Sequence, residues 1–150
     1  MSAELQDLYQ EVILDHNRRP RNFRVIEDGS SAEGFNPLCG DRITVYLKVE
    51  NGTIKDVSFQ GAGCAISKAS ASLMTESVKG KSIEEATALF ERFQRMLTGS
   101  ASADSPTESL GKLTVLAGVR QFPVRVKCAT LAWHTLRSAV AAPGGVVSTE

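Results

Sequence analysis

The chain has 150 residues, 42% hydrophobic and 23% charged, which suits one globular domain with its own core and excludes wholesale disorder. Lys plus Arg equals Asp plus Glu at 17 each, so no net basic field recruits nucleic acid. No stretch approaches the roughly 20 apolar residues of a membrane helix, and the acidic opening MSAELQDLYQ lacks the apolar centre of an export signal. Three cysteines, an odd number, then point to a reducing cytoplasm with free or metal-bound thiols.

Leu5, Leu8, Tyr9, Val12 and Ile13 fall at i, i+3, i+4, i+7 and i+8, an amphipathic helix capped by Ser2 and stopped before Pro20. Asn22 to Pro37, with Gly29, Ser30, Ser31 and Gly34, reads as loop with one short edge strand near Ala32–Asn36. From Ile43 the period becomes two. Ile43, Val45, Leu47 and Val49 alternate with Thr44, Tyr46, Lys48 and Glu50, the pattern of a half-buried strand. Asn51-Gly52 then marks a hairpin. A two-residue loop would pair Val49 with Ile54 and send Val57 and Phe59 to the opposite face. A three-residue loop, Glu50-Asn51-Gly52, pairs Val45 with Val57 and Ile43 with Phe59 and keeps one apolar face. That loop is expected, with Gly52 left-handed.

After Gly61-Ala62-Gly63 the period turns helical, and Ile66, Ala69, Leu73, Met74 and Val78 lead to Gly80, a C-terminal stop. Ser82 and Glu85 form a capping box for a helix whose buried stripe is Ile83, Ala86, Leu89, Phe90, Phe93, Met96 and Leu97, ended by Gly99. Gly99 to Ser109 is small and polar, a surface loop. Leu110, Leu113, Val115 and Leu116 suggest a short helix before a bend at Phe122-Pro123. The last helix is expected from about Cys128 to Ala141, with Leu131, Ala132, Leu136, Ala139 and Val140 inward. Pro143-Gly144-Gly145 opens a loose tail. The order of helix, hairpin and helices gives an α+β fold, a small antiparallel sheet of about three strands with helices on one face. Residues 1–141 form the single domain and 142–150 the flexible tail.

Between Cys39 and Cys64 lie 24 residues, and between Cys64 and Cys128 lie 63, so the close cysteine pairs of a common structural zinc module are missing. Taken alone, scattered cysteines read as buried apolar fillers. Their settings argue otherwise. Cys39 sits in Asn36-Pro37-Leu38-Cys39-Gly40-Asp41, a loop leading into the first strong strand. Cys64 follows a glycine-rich turn and opens a helix, and Cys128 is expected to open another after an extended Arg125-Val126-Lys127. A thiol at a helix N-terminus feels the positive end of the dipole, which favours the thiolate that binds metal or attacks. Thiolates gathered at one site need a cation. Zn²⁺ suits sulfur with one nitrogen or oxygen, and Asp41 is the nearest fourth ligand, against its plain reading as a turn residue.

Other motifs fall away. Gly61-Ala62-Gly63 is no dinucleotide fingerprint, since Ile66 stands where the third glycine belongs and no parallel βαβ unit follows. His134, six residues past Cys128 and about 240° around a helix, reads as a surface or core-edge histidine. Arg18, Arg19 and Arg21 read as a solvated helix end, with partner docking as the second reading.

The segments LYQEVILDH, NPLCGD, GAGCAIS and VKCATLAW, the last three each with a cysteine, resemble the IscU/NifU-type scaffold family of iron–sulfur cluster assembly over residues 2 to about 140. IscU-type members carry His immediately before the third cysteine and an LPPVK segment upstream for chaperone recognition. Here Lys127 stands in that His position, and Phe122-Pro123-Val124-Arg125-Val126 lies near the place of that segment. The Gly99–Leu116 region also lengthens the second spacing. These departures resemble the zinc-bearing SufU branch of bacterial SUF systems.

The resemblance implies an IscU/NifU-N-like fold with Cys39, Asp41, Cys64 and Cys128 as zinc ligands. It implies a sulfurtransferase-like role in the cytoplasm. Persulfide sulfur would come from a SufS-type, pyridoxal-phosphate-dependent cysteine desulfurase and pass to a downstream iron–sulfur scaffold or apo-proteins, with neither nucleic acid nor membrane as partner. Cys39 is the expected acceptor, because a Pro-flanked loop beside Gly40 moves more cheaply than a helix start. Lys127 and Arg125 would be supporting cations. Two further readings stand beside this one: a scaffold assembling a [2Fe–2S] cluster, or holding iron, on the same cysteines, and a non-catalytic interaction protein stabilised by zinc.

Overall fold

A computed structural model describes residues 3–98, 107–141 and 144–148. The first helix, α1 (Ala3–Arg18), is the amphipathic segment expected there, and Tyr9, Val12 and Ile13 rest partly buried against the core. Ser2, its expected cap, lies outside the described residues.

Four strands form one sheet in the order β3-β2-β1-β4: β1 (Ser30–Asn36), β2 (Asp41–Glu50), β3 (Thr53–Ala62) and β4 (Val146–Ser148). The expected sheet of three antiparallel strands is corrected by one, and β4 runs parallel to β1, with Gly34 opposite Val147. Part of the stretch read as a loose tail is thereby tied to the sheet. Gly144 N–H donates to the Ser31 carbonyl at 2.7 Å, and Glu33 N–H donates to the Gly145 carbonyl at 3.0 Å. β1 is therefore longer than expected, and β4 covers its far side, so it is no edge strand.

The hairpin register also differs from expectation. Glu50 opposes Thr53 across a two-residue Asn51-Gly52 turn, with φ of 53° and 74° at its two residues. Such a turn matches the right-handed twist of its strands, which a three-residue loop would have to reach by another route. Val49 opposes Ile54, but Lys48 opposes Asp56, so a bulge leaves Lys55 as the extra residue. That single residue restores the parity the turn would have broken. Leu47 then opposes Val57, and Val45 opposes Phe59, all four at 1% exposure or less. The expected partners, Val45 with Val57 and Ile43 with Phe59, are displaced by two residues, while the shared apolar face and the left-handed Gly52 are as read.

The helices α2 (Ala65–Val78) and α4 (Pro123–Ala141) pack on the sheet, α1 packs on α2, and α3 (Ile83–Thr98) packs on α4. The capping box of α3 is formed, with Ser82 N–H donating to Glu85 Oε1 and Glu85 N–H donating to Ser82 Oγ, each at 3.1 Å. Residues 99–106, including the expected stop at Gly99, lie outside the described residues. The short helix expected around Leu110 is a longer 3-10 segment, Thr107–Gln121, broken at Gly111. Leu110, Leu113, Leu116 and Val119 are all buried, and a spacing of three puts them on one face of a three-residue turn.

The last helix starts at Pro123, five residues before the expected start at Cys128. A proline is at home there, since its missing N–H would be unpaired anyway and its φ is already helical. Residues 122–125 are exposed, so no apolar stripe announces this first turn. Cys128 consequently lies in the second turn of α4, and the helix-dipole argument holds for Cys64 alone.

Candidate metal centre

The chain turns from β1 into β2 through Pro37–Gly40, closed by the opposed pair Asn36 and Asp41. Cys39 sits half-buried on this loop, its N–H donating to the Asn36 carbonyl at 3.3 Å. Gly40 takes a φ of 70°, the left-handed conformation that returns the chain into β2. Asp41, fully buried, is the first residue of β2. Its Oδ1 accepts from Cys64 N–H at 2.8 Å, and its Oδ2 lies 3.8 Å from Cys64 Sγ. Cys64 is the N-cap of α2, its sulfur accepting from Ser67 N–H at 3.4 Å. Gly63 leaves room for this approach, because a Cβ there would come within 2.5 Å of Asp41 Oδ1.

The helix α4 delivers Cys128, also fully buried, with its Sγ 3.0 Å from Cys39 Sγ. One ligand atom each from Cys39, Asp41 and Cys128 falls within 4.8 Å of the others, a group that can hold a metal ion. Cys64 adjoins the group through Asp41. All three cysteines are free. Thiols with a single carboxylate are a soft donor set, suited to zinc or iron rather than to magnesium or calcium.

The electrostatics match that donor set. Burial pushes the Cys128 thiol up, and its hydrogen bonds with Cys39 and Asp41 and the charge of Cys64 push the same way. A buried sulfur among other anions gives up its proton readily only when a cation compensates. Arg125, exposed on the first turn of α4, carries a pKa raised mainly by the charge of Cys64, with Cys128 and Cys39 adding. Its positive charge thus interacts with all three sulfurs. Lys127 is half-buried beside Cys128 in the chain.

His134 lies elsewhere, its Nδ1 3.0 Å from Arg137 Nη2 and its ring edge-on to Phe90. Of the basic cluster, Arg21 is committed to Asp15 at 2.6 Å, while Arg18 and Arg19 are exposed. Sequence reasoning passed over Asn36. Its side chain is fully buried, with Nδ2 3.5 Å from Cys128 Sγ and Oδ1 accepting from Leu38 N–H at 3.2 Å. Asn-Pro ahead of a cysteine reads as turn chemistry, and one sequence carries no sign that this amide faces a sulfur 92 residues away.

Comparison with known proteins agrees with this architecture. Residues 8–129 match the NifU-like N terminal domain. The chain is 44% identical over 144 residues to the zinc-dependent sulfurtransferase SufU of Bacillus subtilis, covering 96% of this chain and 97% of that protein. It is 42% identical over 139 residues to the iron–sulfur cluster assembly scaffold protein IscU of Streptococcus pyogenes, covering 92% and 86% respectively. A crystal structure of a candidate iron–sulfur cluster assembly scaffold for the SUF system of Fervidobacterium islandicum superposes with a TM-score of 0.81 at 34% identity, over 90% of this chain and 98% of that one. No helix among the described residues is long and apolar enough to cross a membrane. Matched along most of its length in both sequence and fold, the chain belongs to the NifU-like N-terminal domain family.

Proposed function

We propose that the chain is a zinc-dependent sulfur acceptor of iron–sulfur cluster assembly, taking persulfide sulfur from a SufS-type, pyridoxal-phosphate-dependent cysteine desulfurase. The observation that carries this is Cys39, on a loop at the surface, with its sulfur 3.0 Å from buried Cys128 and beside Asp41. Cys39, Asp41, Cys64 and Cys128 would hold the metal. When bound, zinc supplies the positive charge that keeps these thiols deprotonated at neutral pH. The similarity to a relative named as a zinc-dependent sulfurtransferase supports the same reading.

The four residues divide the work by their mounts. Cys64 caps α2 and Cys128 lies inside α4, so both are anchored, whereas Cys39 rides on Pro37–Gly40 and can swing out. In the transfer step the Cys39 thiolate attacks the outer sulfur of the desulfurase persulfide. The S–S bond to the desulfurase cysteine breaks, that cysteine leaves as thiolate, and Cys39 becomes the persulfide, with no net oxidation. Arg125 sets a positive charge beside the thiols while negative charge passes between them. Leu38, Phe122 and Val124, exposed at 61%, 59% and 50%, offer apolar surface next to Cys39 and at the start of α4 for a protein partner. The persulfide then passes to a downstream iron–sulfur scaffold or apo-protein. Free thiols and this chemistry fit a reducing cytoplasm.

Metal analysis of the purified protein, alongside desulfurase turnover with and without it, tests the proposal. About one zinc per chain and raised turnover are expected; a metal-free protein that leaves turnover unchanged overturns it. The relative named as an IscU scaffold favours a second reading, in which the same cysteines carry a [2Fe–2S] cluster as cargo. Anaerobic reconstitution yielding a stable, transferable cluster decides for that one. Zinc present with no effect on turnover and no cluster leaves a plain zinc-stabilised interaction protein.

Two further outcomes follow from the geometry. Zinc that binds only the folded chain stabilises it by about 2.7 kcal/mol at a hundredfold excess over Kd, so chelation lowers Tm by roughly 5–10 °C. An unchanged melting curve after verified metal removal contradicts this. Gly63→Ala forces Asp41 aside, since the added Cβ meets Oδ1, Cβ and Cγ of a buried carboxylate at 2.5–3.0 Å. Zinc affinity is expected to fall by roughly 10–100-fold, read by competition with a chromophoric chelator.

A further inference from the structure

We propose that Asn36 is a positioning residue that ties the Cys39 loop to the buried Cys128 sulfur, an inference that rests on the zinc reading above. Three contacts of one residue carry it. The Asn36 carbonyl accepts from Cys39 N–H at 3.3 Å, its Oδ1 accepts from Leu38 N–H at 3.2 Å, and its Nδ2 lies 3.5 Å from Cys128 Sγ. The orientation of the amide is not arbitrary. A backbone N–H only donates, so the oxygen must face Leu38, and the NH₂ must face the sulfur.

The residue is fully buried at the end of β1, opposite Asp41 in the sheet register. It therefore touches, or directly opposes, three of the four residues assigned to the metal. A neutral donor is the chemistry the position needs. It satisfies a buried sulfur that bears negative charge when the site is loaded, without adding charge of its own. A carboxylate there would keep the turn to Leu38 yet present an acceptor to the sulfur. A serine would keep a short hydroxyl for the turn and fall short of Cys128.

The test uses Asn36→Ser and Asn36→Asp in the full chain. Zinc affinity is measured by chelator competition, and the cobalt-substituted protein is read by its thiolate-to-metal absorption. Far-UV circular dichroism and the melting of the metal-free form follow the fold separately. Both variants are expected to bind zinc roughly 10–100-fold more weakly, with altered cobalt absorption and an unchanged far-UV spectrum. Should Asn36→Asp fail to fold, Asn36→Ser still decides. Wild-type affinity in Asn36→Ser means the amide–sulfur contact holds nothing and overturns the inference, while the zinc reading stands. A wild-type protein that binds no zinc overturns the reading itself, and this inference with it.

Discussion

Replacing Trp133 with alanine is expected to cost about 3–5 kcal/mol, a large share of the 5–15 kcal/mol that holds a typical domain together. Trp133 is the largest fully buried side chain, lying against Phe90 and Phe93 with ring centroids 5.6 and 4.9 Å away. Those three rings join α3 to α4, so truncation leaves a cavity between helices rather than a dent that loops could fill. The loss is not confined to packing. Trp133 Nε1 donates to Ser70 Oγ at 3.3 Å, and the same hydroxyl donates to the Ala129 carbonyl. The contact ties α2 to α4 beside Cys128, so the two helices that anchor Cys64 and Cys128 loosen together. At roughly 2–4 °C per kcal/mol for a chain of this size, Tm should fall by about 6–20 °C. Trp133→Phe keeps a ring in the cavity and should cost far less. A Trp133→Ala protein within 1 kcal/mol of wild type in urea unfolding would contradict the role given to this cluster.

Much of the scaffold around the site is written in local patterns. The capping box at Ser82 and Glu85, the alternation from Ile43 to Leu47 and the glycine stop at Gly80 each express a single physical rule, and each is realised. The failures have two causes: a non-local choice that overrides a local one, or a local signal that reads two ways. No pattern in Lys48 or Val49 announces a bulge, because its benefit lies in bringing Val57 and Phe59 onto the core face. Pro123 reads as a break because proline ends helices more visibly than it begins them, and the exposed turn after it has no apolar stripe. Val146–Ser148 is too short to signal itself and depends on the free side of β1. The spacing of Leu110, Leu113 and Leu116, by contrast, held a three-residue period that could have been read.

The site divides in the same way. Its cysteines stand out by their neighbours, but intervals of 24 and 63 residues contain nothing that brings them together. Convergence was legible through the likeness of three motifs to a known family. The amide of Asn36 was not, since its partner is set by where α4 crosses the end of the sheet.

Cys39→Ser is expected to bring desulfurase stimulation down to the level seen without the protein while leaving the fold in place. Cys39 is half-buried on a loop and caps no helix, so the metal-free variant should melt within a few degrees of wild type. A serine hydroxyl is a poor nucleophile at neutral pH, so the transfer step loses its attacking group. On the proposed reading, Asp41, Cys64 and Cys128 would remain to hold zinc weakly. The anchored cysteines should behave differently. Cys128→Ser buries a hydroxyl in a pocket at 0% exposure, and Cys64→Ser alters the cap of α2, so both should lose more stability and more zinc affinity than Cys39→Ser. The direct reading is mass spectrometry after incubation with desulfurase and cysteine, seeking about 32 Da, one sulfur atom, on the peptide that carries Cys39. Persulfide confined to Cys128 would move the acceptor role into α4, and then the loop could no longer be the moving part. Absence of persulfide on every cysteine, with turnover unaffected, would remove sulfur transfer altogether, because a thiolate that never meets the outer sulfur cannot carry it.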